Sequence, residues 1–280
     1  MQANSKLGIG SVQFGLDYGI ANNKGQTDSN EVSRILKYAL KNNINIIDTA
    51  AVYGSSESVL GQNDLSEFKI ISKFITHNKE TVSSQFYSSI SKLKVENLYG
   101  YLAHRPLTLL QNRECWDELL ELKANRRVEK IGFSLNSPAE LEEILENNIY
   151  PDLIQVPYNY FDNRFKSLLI ELKEKGCEIH SRSTFLQGLF FTNPSELPEY
   201  FDEVKCHLIQ LQQTVKDLPK ALLNFVMQQP FIDKVIIGVE TLSQLKENFE
   251  NSENATVLTS CLESISDKIL MPSNWPLNEK

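Results

Sequence analysis

A chain of 280 residues, 41% of them hydrophobic, is long enough to bury one large core of the size an α/β barrel needs. Its 36 acidic and 28 basic residues leave a net charge of −8 with no basic block, which argues against nucleic acid or an anionic membrane as partner. No apolar run is long enough to cross a bilayer and MQANSKLGIG lacks the apolar core of a secretory signal, so the expected location is the cytoplasm.

Along the chain, short apolar runs alternate with longer amphipathic stretches. Leu7–Phe14 (LGIGSVQF) reads as a strand, and Ser29–Asn42 as a helix with Val32, Ile35, Leu36, Ala39 and Leu40 on one face. Ile44–Asp48 is a continuous apolar run, as expected of a strand buried on both faces. Strand Lys69–Phe74 precedes helix Thr81–Leu93, and strand Leu98–Ala103 precedes helix Cys115–Asn125. Strand Lys130–Ser134 precedes helix Ser137–Asn147, which opens on a capping box of Ser137 and Glu140 with Pro138 in the first turn. Strand Leu153–Val156 precedes helix Arg164–Lys175, which stops at Gly176. Cys177–His180 starts another strand, a long helix is expected over Ser195–Gln229, and strand Lys234–Gly238 leads into helix Ser243–Asn251. The tail from Asn254 adds one further helix-like segment.

Eight strand–helix units imply a parallel sheet with right-handed crossovers, closed as a (β/α)8 TIM barrel over residues 1–280 as one domain. No G-x-G-x-x-G follows the first strand, and no P-loop motif is present. Cys115, Cys177, Cys206 and Cys261 are scattered, with no C-x-x-C and no histidine at ligand spacing, so they read as free thiols and no metal site is expected. Of the histidines, His77 reads as a solvated loop residue and His207 as a structural one in mid-helix.

The active site of such a barrel lies at the C-terminal ends of the strands. There the chain places Asp48 and, in the following loop, Tyr53, then Lys73, His104, Ser134, Gln155 with Asn159, and His180 with Arg182. Tyrosine can donate a proton to a developing alkoxide. A lysine cation beside it stabilises the phenolate left behind, and a buried aspartate keeps the lysine charged. A histidine alongside can hydrogen-bond and orient the substrate oxygen. Together these groups polarise a carbonyl for hydride attack.

At these residues the chain resembles the aldo-keto reductases. The likeness is carried by IIDTAAVYGSSESVLG (Ile46–Gly61), ISKF (Ile71–Phe74), YLAHRP (Tyr101–Pro106) and IGFS (Ile131–Ser134). It continues through IQVPYN (Ile154–Asn159), FLQGLF (Phe185–Phe190) and VIIGVETLSQLKEN (Val235–Asn248). The resemblance implies Tyr53 as general acid tuned by Lys73 and Asp48, with His104 positioning the carbonyl. It implies NAD(P)H as cofactor, held by Ser11, Ser134, Gln155, Arg182, Gly188, Gly238, Glu240, Gln244, Glu247 and Asn248. Tyr18, Asn159 and His180 are the candidate substrate residues.

Three departures stand out. Arg182 occupies the place where family members often stack an aromatic ring on the nicotinamide, and a guanidinium plane can also stack. Leu135 follows Ser134 where many members carry Asn. The segment after the last strand has Glu240 and no cation before Lys246, where members preferring NADPH carry Lys or Arg for the 2′-phosphate. NADH or dual use is therefore expected over strict NADPH. Asn159, Tyr160, Asp162, Asn163, Arg164, His180 and Arg182 read as polar pocket loops, which points to a sugar-like carbonyl substrate and carbohydrate metabolism. The expected partner is this small molecule, with the chain acting as a monomer or small homo-oligomer. The competing readings are a redox-neutral, epimerase-like enzyme or a regulatory cofactor-binding protein on the same barrel.

Overall fold

The computed structural model describes residues 6–20, 22, 24–75, 80–249, 256–259 and 264–276. Eight strands run in chain order: β1 (Leu7–Gly10), β2 (Ile46–Asp48), β3 (Lys69–Phe74), β4 (Leu98–Ala103), β5 (Val128–Ser134), β6 (Leu153–Pro157), β7 (Glu178–Arg182) and β8 (Lys234–Gly238). Each is parallel to its neighbours and β8 pairs with β1, so the sheet closes into the expected (β/α)8 barrel.

Alternation of side chains between two buried faces explains why most of these strands are largely apolar. Outward residues such as Ile9, Ile47, Ile70, Tyr101, Phe133, Ile154, Ile179 and Val235 pack with the buried faces of the surrounding helices. Inward, Ile46, Ile71, Leu102, Leu153 and Ile236 form a plug that fills the barrel axis. Two residues further along each of these strands lie Asp48, Lys73, His104, Gln155 and Gly238. A strand rises about 3.3 Å per residue, so this set stands roughly one side-chain layer above the plug, at the C-terminal mouth.

The helices form where their caps and apolar faces predict. Asp28 accepts from Asn30 N at the start of Ser29–Lys41, which buries Val32, Ile35, Leu36 and Ala39. The capping box of Ser137 and Glu140 is present before Pro138–Glu146. Two expectations need correction. The first strand stops at Gly10, and Val12–Gly15 forms a helical turn that buries Phe14. The long helix over 195–229 is broken. Short 3₁₀ turns at Pro194–Glu196 and Glu199–Phe201 precede helices Asp202–Thr214 and Leu218–Met227. The break falls where Val215 turns extended and Pro219 enters the first turn of the next helix, the position that tolerates its missing N–H.

Cys115 and Cys177 are buried free thiols and Cys206 is exposed; Cys261 and His77 lie outside the described residues. His207 sits within Asp202–Thr214, its ring edge-on to Phe161. Among the described residues no helix is long and apolar enough to cross a membrane.

Candidate active site

At the C-terminal mouth lies a cavity of about 1070 Å³. Asp48 lines it and pairs with Lys73. Lys73 is fully buried, and its Nζ donates to Asp48 Oδ2 at 2.6 Å and to Thr49 O at 3.0 Å. Gln155 Nε2 donates to the other carboxylate oxygen, Asp48 Oδ1, at 2.8 Å. The carboxylate is thus held on both sides, as a buried charge must be.

Tyr53 is carried by the turn between β2 and the short helix Ser56–Leu60. That turn is docked directly on the Val12–Gly15 turn. A Cβ at Gly15 would sit 1.9 Å from Tyr53 O, and one at Gly54 would sit 2.4 Å from Gly15 O. The backbones touch because neither side carries a side chain there. Ser56 Oγ reinforces the joint, 2.9 Å from Ser11 O and 2.8 Å from Ser11 Oγ. The result places the Tyr53 ring 5.1 Å from Lys73 Nζ and edge-on to His104, with ring centroids 5.9 Å apart.

Burial, followed by the fields of Lys73, Arg182 and Arg105, pushes the His104 imidazolium pKa down to about 3. The ring is therefore neutral at neutral pH and offers one donor and one acceptor; its Nδ1 is buried without a partner. A stability consequence follows. In the unfolded chain the histidine titrates near 6.5, so between that pH and about 3 the unfolded state binds the extra proton. Stability is lost as pH falls through this window. Replacing His104 with Gln is expected to flatten the acid limb of the unfolding free energy there, as measured by denaturant titration at stepped pH. An unchanged acid limb would contradict the buried neutral imidazole.

All ten expected cofactor residues line the cavity, Ser11, Ser134, Gln155, Arg182, Gly188, Gly238, Glu240, Gln244, Glu247 and Asn248, although the Ser11 hydroxyl is engaged by Ser56. Tyr18 also lines it, its hydroxyl accepting from Gln187 Nε2 at 2.7 Å across the mouth. Asn159 and His180 do not line it. Asn159 Oδ1 accepts from Phe161 N and Asp162 N, and its Nδ2 donates to Ser183 O, so it builds a loop. His180 points into the barrel below Arg182, where its Nε2 lies 2.6 Å from Glu178 Oε1.

Other polar residues of the β6 loop are also spent elsewhere. Arg164 pairs with buried Asp162 and with Asp267, tying the loop to the C-terminal segment. Of the seven expected polar pocket residues only Arg182 faces the cavity. Leu16, Val52, Ile75, Arg105 and Phe191 share its wall instead, and the residue on the mouth side of Ser134 is Asn136, Leu135 being fully buried in the core. Gln13 was missed because Leu7–Phe14 read as one strand; its side chain sits where a Cβ on Gly238 would come within 2.7 Å.

The cavity suits a nicotinamide cofactor on two observations. Gln155 Oε1 is a buried acceptor without a partner, beside Ser134 in the cavity wall, which matches the donor of a carboxamide. Gly238 leaves its stretch of wall as bare backbone facing Gln13, whose Oε1 is likewise buried and unpaired.

Comparison with known proteins shows the family. Residues 6–265 match the model of the Aldo/keto reductase family. The uncharacterized oxidoreductase YqkF of Bacillus subtilis (strain 168) is 23% identical over 286 residues, covering 91% of this chain and 89% of that protein. The glyoxal reductase of the same organism is 27% identical over 232 residues, 74% of this chain and 83% of that protein. Among solved structures, the holo form of aldo-keto reductase AKR11C1 from Bacillus halodurans aligns with a TM-score of 0.68 at 21% identity, covering 91% of this chain and 88% of that one. On the family match, carried over nearly its whole length, the chain belongs to the aldo/keto reductase family.

Proposed function

We propose that this enzyme reduces a small carbonyl compound by hydride transfer from NADH, with Tyr53 delivering the proton. Membership of the family makes it an NAD(P)-dependent oxidoreductase acting on carbonyls. The observation that carries the finer reading is that Asp48, Tyr53 and His104 line the same cavity, with the buried Lys73 paired to Asp48 and 5.1 Å from the Tyr53 ring centroid.

When bound, the nicotinamide would supply or take the hydride. Ser134 and the unpaired Gln155 Oε1 would hold its carboxamide, and Gly188, Gly238, Gln244 and Asn248, which line the same cavity, would face the rest of the cofactor. Tyr53 donates its phenolic proton to the carbonyl oxygen as charge builds there. Lys73, ion-paired with Asp48, stabilises the phenolate that remains. Neutral His104 orients the oxygen without competing for the proton.

Three features support NADH over NADPH. Glu240 and Glu247 face the cavity where a 2′-phosphate would come. Lys246, the first cation of that segment, is turned away onto the Tyr38 ring, 5.6 Å from its centroid. The helix Leu242–Phe249 has its first N–H taken by Glu31, with Leu242 N donating to Glu31 Oε1 at 2.7 Å. A carboxylate there repels a phosphate that the helix terminus would otherwise attract. Titration of both reduced cofactors is expected to give the lower Kd for NADH; a Kd at least about tenfold lower for NADPH, a difference of about 1.4 kcal/mol, would overturn this preference.

For the substrate, Tyr18, Arg105 and Gln187 give the mouth a polar side and Leu16, Val52, Ile75 and Phe191 an apolar one. We assign a short hydroxylated aldehyde or ketone, sugar-like in its polar end, in keeping with a role in carbohydrate metabolism. Cofactor oxidation in the presence of short aldoses, ketoses and purely apolar aldehydes tests this. Greater specificity for the apolar aldehydes would remove the sugar-like assignment.

A further inference from the structure

Arg182 ends β7, and its side chain runs over the barrel mouth to the end of β5. Nη2 donates to Leu135 O at 2.8 Å and to Asn136 Oδ1 at 2.6 Å, and Nη1 donates to Ser183 Oγ at 3.3 Å. All three acceptors are neutral. The carboxylates that line the cavity are committed elsewhere: Asp48 to Lys73, Asp217 to Lys220, Glu240 to Gln244 and Glu247 to Ser243. Among the described residues no carboxylate pairs with Arg182. A planar cation is therefore fixed in the wall near Ser134 and Gln155 with its charge unanswered.

We propose that Arg182 makes this site discriminate the redox state of its cofactor, holding the reduced nicotinamide more tightly than the oxidised one. The inference rests on the cofactor reading above, which seats the carboxamide at Ser134 and Gln155. The oxidised ring is a pyridinium cation, and a second cation fixed beside it in a partly dehydrated wall repels it. The reduced ring is neutral and electron-rich, so the guanidinium plane attracts it as a cation attracts an aromatic face. The charge reaches the reacting end of the cavity, since after burial and Lys73 it is the next influence holding His104 neutral.

The consequence is directional. A tenfold tighter hold on the reduced form raises the potential of the bound two-electron couple by about 30 mV. The bound cofactor becomes a readier hydride acceptor, and after carbonyl reduction the oxidised form leaves quickly. An aromatic ring at this position would stack on either form without this bias.

The test is direct titration of reduced and oxidised cofactor into the wild-type enzyme and into Arg182→Gln, Arg182→Tyr and Arg182→Lys, followed by tryptophan fluorescence or calorimetry. Wild type is expected to bind the reduced form at least about tenfold tighter, well below what two full charges in contact would give at a protein-surface dielectric. Gln and Tyr should narrow the ratio by about that factor, chiefly through tighter binding of the oxidised form, while Lys should keep most of it. Equal affinity of wild type for the two forms overturns the proposal without recourse to any variant. So does an equal loss for both forms in Arg182→Gln, which would make Arg182 an ordinary binding residue. If wild type binds neither form, the cofactor reading itself fails and this inference falls with it.

Discussion

Tyr53→Phe is expected to lower turnover by about 10²–10⁴-fold while leaving NADH binding unchanged, because positioned proton transfer contributes about that much and the ring itself stays in place. The ring is held by its surroundings, with Lys73 Nζ 5.1 Å from its centroid and the His104 ring edge-on at 5.9 Å. The substitution removes one oxygen and no packing. Retention of more than about a tenth of wild-type turnover would place the proton donor elsewhere. Tyr18, whose hydroxyl also lines the cavity and is anchored by Gln187, is the next phenol to test.

Lys73→Met is expected to damage both stability and turnover, and the two effects are separable. Lys73 is 0% exposed and Asp48 is 4% exposed, so removing the ammonium leaves a buried carboxylate with Gln155 as its remaining side-chain donor. Breaking a buried pair in this way costs about 3–5 kcal/mol, whereas replacing both partners with uncharged groups is often nearly neutral. Urea unfolding of Lys73→Met should show a loss of that order. The double variant Asp48→Asn, Lys73→Met should regain most of it and still fail to turn over, because the phenolate of Tyr53 then has no cation beside it. Recovery of turnover in the double variant would mean that the pair serves the fold alone.

The barrel and five of the residues at its mouth were legible in sequence for one physical reason. Each site residue sits two positions beyond an inward apolar residue: Ile46 before Asp48, Ile71 before Lys73, Leu102 before His104, Leu153 before Gln155, Ile236 before Gly238. A polar residue in phase with a buried run at a strand's C-terminal end can only face the mouth. The same phase explains Asn136. With Ser134 facing in, Leu135 must face out into the core, and the next polar contact comes one residue later than the family pattern suggests.

The misread positions are those where phase alone does not decide. His180 has the inward phase, but it stands one layer below Arg182, and depth along the barrel axis depends on strand stagger. There it joins Glu178, whose carboxylate also accepts from Tyr99 at 2.6 Å and pairs with Lys130. Asn159, Asp162 and Arg164 look like pocket residues because loops carry function. Their hydrogen bonds turn inward to build the loop and to reach Asp267, more than a hundred positions away, a partner that no local pattern names. The expectation of a wholly polar pocket drew on those residues. The apolar side of the mouth comes instead from Leu16, Val52, Ile75 and Phe191, spread over four separate loops.

The proposed reaction moves a hydride between a nicotinamide and a carbonyl carbon at this site. Incubating the enzyme with NADH deuterated at the transferable position and with short hydroxyaldehydes, then weighing the alcohol by mass spectrometry, tests it most directly. A single deuterium is expected on the former carbonyl carbon with wild type, and almost none over the same time with Tyr53→Phe. Unlabelled product, or a bound cofactor that never loses its label to any substrate, would contradict it and favour a redox-neutral enzyme on the same barrel.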